Sequence, residues 1–326
     1  MADTHTFTAA VRTHGQTADL KNGSVTVPGV DFEFLDIKPQ IAAYRRMVRN
    51  VEFDICELAS TTYMIARGFG KPFKALPVFF GRRFHHHGLV VRPDSGISTP
   101  KDLEGKKVGV RAYTVTTGVW TRGILQNEYG VDPYKVNWMV DDEEHVQELK
   151  LPDNVQHVPE DKSLASMMAN GEIQAGFLAN AGIGREGKPR EDWAAKPSYP
   201  TDTYRELIPD AEAAEAEWYK RTGILPCHGT IVIKDEVAAK YPDLPRRLYD
   251  AFLESKERYL EKVRSGEATE KKDNSVRKMI DLVGPDPMPY GLKANLQSIE
   301  ALRTYAFQQG LMPTRMPIED LFYNFD

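Results

Sequence analysis

The sequence predicts an α/β protein with two lobes and a ligand-binding cleft between them. Strand and helix patterns alternate along the chain, which favours largely parallel sheets covered by helices. The chain has 326 residues, more than one hydrophobic core usually serves, so two compact lobes are expected. A second series of strands and helices begins near residue 93, after the first has finished. Ligand sites commonly form between two such lobes.

The first lobe is predicted from the opening series of elements. Alternating apolar residues predict strands at 7–11 and 30–34. Pro39 can open a helix whose apolar face carries Ile41, Tyr44, Met47 and Val48. The remaining elements predicted here are a strand at 51–55, a helix at 61–66 and a strand at 75–80.

The second lobe is predicted after a strand at 89–91. Its elements are a strand at 106–111, a helix at 116–129, a strand at 136–140, a helix at 161–170 and a strand at 175–179. Residues 182–200 are rich in Gly, Pro and charge and predict a surface loop. The last predicted elements are a strand at 230–233 and helices at 244–263, 275–283 and 292–309. The chain is expected to cross between the lobes at 89–92 and 230–233, so lobe 1 takes residues 1–91 and 226–326, and lobe 2 takes residues 92–225.

Composition excludes several functional classes. The net charge is −5 and both signs are mixed, so neither a nucleic-acid partner nor a membrane partner is expected. No stretch approaches the apolar length of a membrane span. Cys56 and Cys227 are too few for a disulfide framework and are expected to be buried. No signal-peptide core is visible, which predicts a cytoplasmic location if Met1 is the native start; homo-oligomerisation is left open.

Three consecutive histidines, His85, His86 and His87, are the most unusual feature of the sequence. In an extended segment the outer two point to one face and His86 to the other, so at least one is expected to face the cleft. One hypothesis makes His86 a proton donor, since imidazole exchanges protons near neutral pH. Another makes His85 and His87 a metal pair, which would need a third ligand such as Glu57 or His14. The remaining alternative is that the rings are solvated or bond to backbone.

Neither a metal nor an organic cofactor is predicted. The histidine run is one adjacent cluster, and no second group of ligands stands at a recognisable spacing from it. The sequence also contains no glycine-rich phosphate loop and no nucleotide fingerprint.

Arginines near strand ends and predicted crossings are candidates for holding a carboxylate. A guanidinium can do so through two parallel hydrogen bonds, a geometry that lysine cannot copy. The alternative for any one of them is a plain surface position. Arg82 is favoured because it adjoins the histidine run. The candidates are Arg12, Arg82, Arg83, Arg111 and Arg122.

Hydroxyl side chains stand at two predicted strand-to-helix turns. Thr116 and Thr117 open one helix, and Ser60 and Thr61 open another. Backbone N–H groups and the helix dipole make such a turn an anion site, so these residues are candidate substrate contacts. Plain helix capping is the alternative. Tyr113 precedes the first of these turns and is a candidate for stacking on an aromatic ligand.

Several segments resemble known families. Residues 88–110 (GLVVRPDSGISTPKDLEGKKVGV) and 164–180 resemble type II periplasmic binding proteins. Further stretches are similar to the 4,5-dihydroxyphthalate decarboxylase family, which uses that fold as an enzyme, and they cover most of the chain. These are 44–63 (YRRMVRNVEFDICELASTTY), 108–131, 241–260 and 286–322. The resemblance implies a type II periplasmic-binding-protein-like fold with a hinged interlobe cleft.

The chain departs from that family at expected contact positions. The family usually has an Asp-Tyr-Asp-Arg-Thr-Arg-like run after its first strand, where this chain has RTHGQT at 12–17. It tends to read Phe-Arg-His-Ser where this chain has FHHH at 84–87, so only His86 falls on the family histidine. The pair His228-Gly229 stands where a Met-His pair is usual.

The resemblance therefore implies roles for particular residues. His86 would be the catalytic acid, with His85 and His87 as further catalytic candidates. Arg82 matches the family pattern and would hold a substrate carboxylate. Arg12, His14 and His228 occupy the departing segments and are candidate substrate contacts.

The resemblance implies a cofactor-independent decarboxylase that acts on a hydroxylated, phthalate-like carboxylate in aromatic degradation. The phenolic oxygen would push electrons into the ring, an acid would protonate the carboxylate-bearing carbon, and CO2 would leave. The alternative from another class is a solute-binding protein that releases a small aromatic or anionic ligand unchanged. A thiamine-pyrimidine synthase shares the fold, but its cysteine-rich motif is absent from this chain.

Overall fold

The structure is a computed structural model that describes residues 4–185 and 199–326. Most of the loop predicted at 182–200 lies outside the described residues. Its first residues are not at the surface: Ile183 and Arg185 are both buried.

The strands of the described residues follow the predicted series closely. In chain order they are β1 (His5–Ala10), β2 (Val30–Phe34), β3 (Ile55–Ala59), β4 (Phe73–Phe80), β5 (Leu89–Val91), β6 (Lys107–Gly109), β7 (Asn137–Val140), β8 (Val155–His157), β9 (Ala175–Phe177), β10 (Arg205–Glu206) and β11 (Gly229–Lys234).

The helices lie between these strands and after the last of them. In chain order they are α1 (Ala18–Lys21), α2 (Gln40–Asn50), α3 (Ser60–Gly68), α4 (Thr116–Tyr129), α5 (Leu164–Ala169), α6 (Ala211–Thr222), α7 (Asp235–Lys240), α8 (Leu244–Ser265), α9 (Lys271–Val283), α10 (Leu296–Gln308) and α11 (Ile318–Leu321).

The chain divides into two compact units, each formed from more than one segment. The first unit contains residues 1–82, 227–296 and 316–326, and the second contains residues 83–226 and 297–315. These boundaries differ from the predicted ones over two stretches, and Pro226 also falls in the second unit. Residues 83–91 fall in the second unit because β5 pairs with β9 and β10. Residues 297–315 join the second unit because α10 packs on α4, where the Tyr305 ring fills the space beside Gly123.

The first unit is built on a sheet with strand order β2-β1-β3-β11-β4. Strands β2, β1 and β3 run parallel to one another, and β11 runs antiparallel to both β3 and β4. The register pairs Ala10 with Cys56, so the residues that follow β1 lie beside Glu57. Apolar side chains of the sheet, among them Phe7 and Phe80, share a core with Phe252 of α8. This core fixes the edge of the sheet where the polar residues gather.

The second unit is built on a sheet with strand order β10-β5-β9-β6-β7-β8. Strands β9, β6, β7 and β8 run parallel to one another. Strand β5 is antiparallel to both of its neighbours, β10 and β9. Leu164, Met168 and Ile173 are buried in its core. The α/β class and the pair of helix-covered sheets are therefore as predicted. The hinged cleft stays a prediction.

Local predictions failed where a helix ended later than expected. The predicted strand at 51–55 is wrong at its start, because Val51 caps the end of α2 in the left-handed conformation with φ 50°. The strand β3 begins only at Ile55. The short strand β8 was not predicted; two of its three residues are exposed, so it lacks an apolar pattern.

Candidate functional site

A buried carboxylate organises the edge of the first unit's sheet. Glu57 lies in the middle of β3, and its side chain is fully buried. Its Oε1 accepts hydrogen bonds from Arg12 Nε at 3.0 Å and Arg12 Nη2 at 2.5 Å. Its Oε2 lies 3.0 Å from His14 Nε2 and accepts the Arg12 backbone N–H at 3.2 Å. One carboxylate thus fixes both Arg12 and His14.

The charge state of Glu57 follows from these contacts. Burial alone would raise its pKa, because a low-dielectric interior disfavours a charge. The hydrogen bond and charge of His14, followed by those of Arg12, outweigh burial and lower the pKa of Glu57 to about 2. Glu57 is therefore an ionised, buried carboxylate at neutral pH. In turn, it and Tyr44 raise the pKa of Arg12 despite the opposing effect of burial.

The turn that carries Arg12 and His14 is held by its own side chains. Thr17 Oγ1 accepts from the His14 backbone N–H at 2.8 Å and donates to the Arg12 carbonyl at 2.9 Å. Gln16 donates to the Phe79 carbonyl on β4 at 3.1 Å. The His14 ring stacks on Phe80, with centroids 4.9 Å apart and planes at 10°. The turn therefore presents its polar side chains in a fixed geometry.

Glu57 is the functional candidate that sequence reasoning nearly missed. It was considered there only as a third ligand for a histidine metal pair. The signal for a different role was a lone acidic residue inside a short apolar strand, Ile55–Ala59, because buried charges require partners. The partners themselves lie more than forty positions earlier in the chain, and the spacing alone does not show them.

Ser60, Thr61 and His228 lie together in the first unit. Ser60 and Thr61 begin α3 and are buried, and the Ser60 N–H donates to the His228 carbonyl at 2.9 Å. The His228 N–H donates to the Phe80 carbonyl at 2.9 Å, so this histidine ties α3 to β4 through its backbone. The capping alternative is not what is found, because Ala59 is the N-cap of α3 and no side chain caps it. Substrate contact by these residues stays a prediction.

Arg82 is bound within the first unit. Its Nη2 donates to the Pro289 carbonyl at 2.9 Å and to the Asn295 side-chain oxygen. Its guanidinium also lies over the Phe79 ring, 5.1 Å from the centroid. Burial lowers the pKa of Arg82. These contacts give Arg82 a structural role, and its binding of a substrate carboxylate stays a prediction.

The histidine run is not an extended segment with alternating faces, so that part of the prediction is wrong. His85 and His86 are both buried, and His87 is exposed. The His85 ring stacks parallel to Trp120 at 6.3 Å, and the His86 ring meets Trp218 edge-on at 5.3 Å. The chain bends at 86–88, which turns consecutive side chains by amounts that the strand period does not describe.

The three histidines also differ in charge. Burial lowers the pKa of His85 well below its usual value, and Arg83 adds to the effect. Burial likewise lowers the pKa of His86, whose Nδ1 is buried without a hydrogen-bond partner. The pKa of His87 is raised by its hydrogen bond to Glu215, at 2.7 Å from Nδ1 to Oε1. Burial thus disfavours the charged form of His86, the histidine proposed as acid from the sequence.

Tyr113 lies in the core of the second unit and not on an open face. It is fully buried, and the Arg122 guanidinium covers its ring at 3.8 Å from the centroid. This differs from the predicted stacking position. Thr116 and Thr117 do begin α4, but the N-cap is Val115, so they are not capping residues. Thr117 accepts a hydrogen bond from Arg83 at 3.3 Å.

Buried ion pairs at the ends of β6 and β7 were not predicted as pairs. Arg111 Nη1 lies 2.9 Å from Asp142, and Arg185 Nη2 lies 2.5 Å from Asp141. The acids follow β7 directly and the first arginine follows β6, at the carboxyl ends of parallel strands. Arg111, a candidate for carboxylate binding, already has an internal carboxylate partner.

The described part of the chain shows neither a metal-ligand cluster nor a membrane-spanning helix. Residues 4–185 and 199–326 contain no group of three or more His, Cys, Asp or Glu side chains placed to hold a metal ion. The metal-pair alternative for His85 and His87 therefore gains no support, and the independence from metals stays a prediction. Over the same residues, no helix has the length and apolar character needed to cross a bilayer.

Comparison with known proteins shows the family of the chain. A family model described as an ABC transporter, phosphonate, periplasmic substrate-binding protein matches residues 25–267. A 4,5-dihydroxyphthalate decarboxylase from Comamonas testosteroni is 32% identical over 326 residues, covering 96% of this chain and 95% of the relative. The chain belongs to the 4,5-dihydroxyphthalate decarboxylase family. A second member, from Pseudomonas putida, is 32% identical over 219 residues, or 65% of this chain and 80% of that protein.

Solved structures show the fold that this family member shares. The alkanesulfonate-binding protein SsuA from Xanthomonas axonopodis pv. citri, bound to MOPS, matches with a TM-score of 0.55 at 12% identity over 99% of both chains. The aliphatic sulphonate-binding protein SsuA from Escherichia coli matches with a TM-score of 0.52 at 12% identity, covering 99% of this chain and 92% of that one. These are type II periplasmic binding proteins, and at this identity the likeness establishes the fold.

Proposed function

We propose that this protein decarboxylates a hydroxylated, phthalate-like aromatic carboxylate without an organic cofactor or a metal. Two curated relatives that span most of the chain are named for decarboxylation of 4,5-dihydroxyphthalate, which supports the reaction class. The observation that carries the proposal is the buried Glu57 carboxylate, which holds a guanidinium and an imidazole side by side.

Arg12 supplies the binding element for an anionic substrate. A guanidinium has five N–H donors, and Glu57 accepts hydrogen bonds from those on Nε and Nη2. The Arg12 side chain is still 48% exposed, so its outer edge can meet a second carboxylate. Because Glu57 fixes the plane of the guanidinium, little conformational entropy is lost when a substrate carboxylate binds.

The substrate supplies the electrons for the reaction. In 4,5-dihydroxyphthalate each carboxylate-bearing carbon lies para to a phenolic oxygen. Electron density from that oxygen allows the ring carbon to accept a proton; the C–C bond to the carboxylate then breaks and CO2 leaves. The new C–H bond consumes one proton, and no oxidant or reductant is needed. The remaining carboxylate stays available to Arg12.

The alternative is a solute-binding protein that releases its ligand unchanged. The SsuA proteins share the fold and are named for binding sulfonates, which are also anions. The exposed edge of the Arg12 guanidinium could bind an anion in that role as well. What favours catalysis is the imidazole beside it, which a binding role does not require.

Incubation with 4,5-dihydroxyphthalate distinguishes the two functions. We expect the purified protein, without added cofactor, to convert it to 3,4-dihydroxybenzoate, detected by chromatography and mass. Phthalate lacks the hydroxyls and is expected to bind without conversion. Full recovery of the dihydroxy diacid after saturating binding would contradict the enzyme proposal and favour the solute-binding alternative.

A further inference from the structure

We propose that His14, oriented by Glu57, delivers the proton to the ring carbon that loses CO2. This inference rests on the proposed function and assigns its acid to the first unit, where the sequence pointed to His86. The proposal is carried by the shared carboxylate, the orientation of the ring and its neighbour Arg12.

The buried histidines of the run are poorly suited to be the acid. His85 and His86 are each about 2% exposed, and burial lowers both of their pKa values. A general acid must carry its proton at the working pH and reach the substrate atom within hydrogen-bond distance. The rings of these two residues instead pack against Trp120 and Trp218.

His87 forms a superficially similar pair with Glu215, but its surroundings differ. Glu215 lies on α6 and accepts hydrogen bonds from the His86 amide and the His87 ring, both of which belong to one short segment. Glu57 differs because it also orients Arg12, so the histidine it holds lies next to a group that can bind the substrate's anionic end.

The geometry at His14 leaves one ring nitrogen for substrate. Nε2 faces Glu57 Oε2 at 3.0 Å, so Nδ1 is the nitrogen that the carboxylate does not occupy. The side chain is 25% exposed. Stacking on Phe80 fixes the ring plane, and Thr17 fixes the backbone. A carboxylate that orients a histidine and stabilises its imidazolium is an established arrangement for proton transfer.

The proton balance of the step is simple. The N–H bond at His14 Nδ1 breaks as the C–H bond forms on the ring. The carbon–carboxylate bond breaks and its electron pair returns to the ring, which regains aromaticity as CO2 leaves. Glu57 stays ionised throughout, and the neutral imidazole takes its next proton from water.

The experiment compares His14→Asn with His157→Asn, a matched change at an exposed histidine on β8. Two reactions are measured for each variant. One is conversion of 4,5-dihydroxyphthalate. The other is exchange of the corresponding ring hydrogen of 3,4-dihydroxybenzoate in D2O, followed by NMR, which reports proton transfer at carbon without decarboxylation. Circular dichroism and phthalate binding show that each variant is folded.

We expect His14→Asn to lower both rates by roughly 10²–10⁴, the usual effect of losing a general acid, while His157→Asn keeps the parent rates. Added imidazole should restore part of the activity of His14→Ala. An active parent with an equally active His14→Asn would overturn the inference and leave the proposed function standing. If the parent releases no CO2, the proposed function fails; exchange that His14→Asn abolishes would then still support the donor role, and absence of exchange in the parent would overturn it too.

Discussion

At the scale of single residues, the Glu57 site contains residues that could be recognised from the sequence and one whose role could not. Arg12 was recognised as a guanidinium near a strand end, and His14 because it lies in a segment where the chain departs from its family. Glu57 was harder to interpret, since its partners lie 45 and 43 positions away and only the β1–β3 register brings them together. The opposite holds for the histidine run. Its residues are adjacent in sequence and were interpreted as one cluster, but a bend places their side chains in different surroundings.

The low pKa of Glu57 predicts how stability depends on pH. A carboxyl whose pKa falls from 4.5 to about 2 on folding stabilises the protein above pH 4.5 and loses that effect as the pH falls towards 2. The size at neutral pH is on the order of 3 kcal/mol. Urea unfolding should therefore show Glu57→Gln less stable than the parent at pH 7, with the gap closing under acid.

Glu33→Gln, an exposed change on β2, is the control and should unfold like the parent at each pH. A gap between Glu57→Gln and the parent that stays constant from pH 7 to pH 3 would show that the ion pairs of Glu57 do not provide this stabilisation.

At the scale of elements, predictions succeeded where local pattern and tertiary packing agree. The helix at 116–129 and the strand at 89–91 match α4 and β5 in both bounds. Predictions failed where a residue's conformation depends on contacts with residues distant in the sequence. The turn at Gly15–Thr17 is an example: no element was predicted there, and Gly15 packs closely against Tyr259 of α8. A pattern of period two or 3.6 contains no information about such a contact.

Gly15 should be intolerant of a side chain for this reason. A Cβ there would lie 2.2 Å from the Tyr259 ring, and the Tyr259 hydroxyl is anchored to Asp273 at 2.6 Å. Overpacking of this kind typically costs about 1–3 kcal/mol. We expect Gly15→Ala to lower the unfolding free energy by that amount in urea denaturation, and to reduce turnover because the neighbouring His14 shifts from Glu57.

The double variant Gly15→Ala with Tyr259→Ala removes the clash. Its unfolding free energy should exceed the value expected if the two single changes were additive. Strict additivity would mean that the ring is not what excludes the methyl group.

At the scale of the whole molecule, the resemblance to a decarboxylase family predicted the fold class correctly, because it draws on most of the chain. The two compact units divide the chain differently from the predicted lobes. The return of residues 297–315 to the second unit depends on the close approach of Tyr305 to Gly123 across α4 and α10. No local pattern distinguishes that helix from one that stays with its sequence neighbours. The family name indicates a reaction class and does not identify which residues of this chain would perform it.

The central claim is that this family member decarboxylates a dihydroxylated aromatic diacid at the residues fixed by Glu57. The most direct test is the release of ¹³CO2 from carboxyl-labelled 4,5-dihydroxyphthalate by the parent, Glu57→Gln and Glu33→Gln. The parent and Glu33→Gln should each release one equivalent of CO2 per diacid consumed. Glu57→Gln should be slower by at least about 10², since His14 loses its orienting carboxylate. No CO2 from the parent, or equal rates from the parent and Glu57→Gln, would contradict the claim.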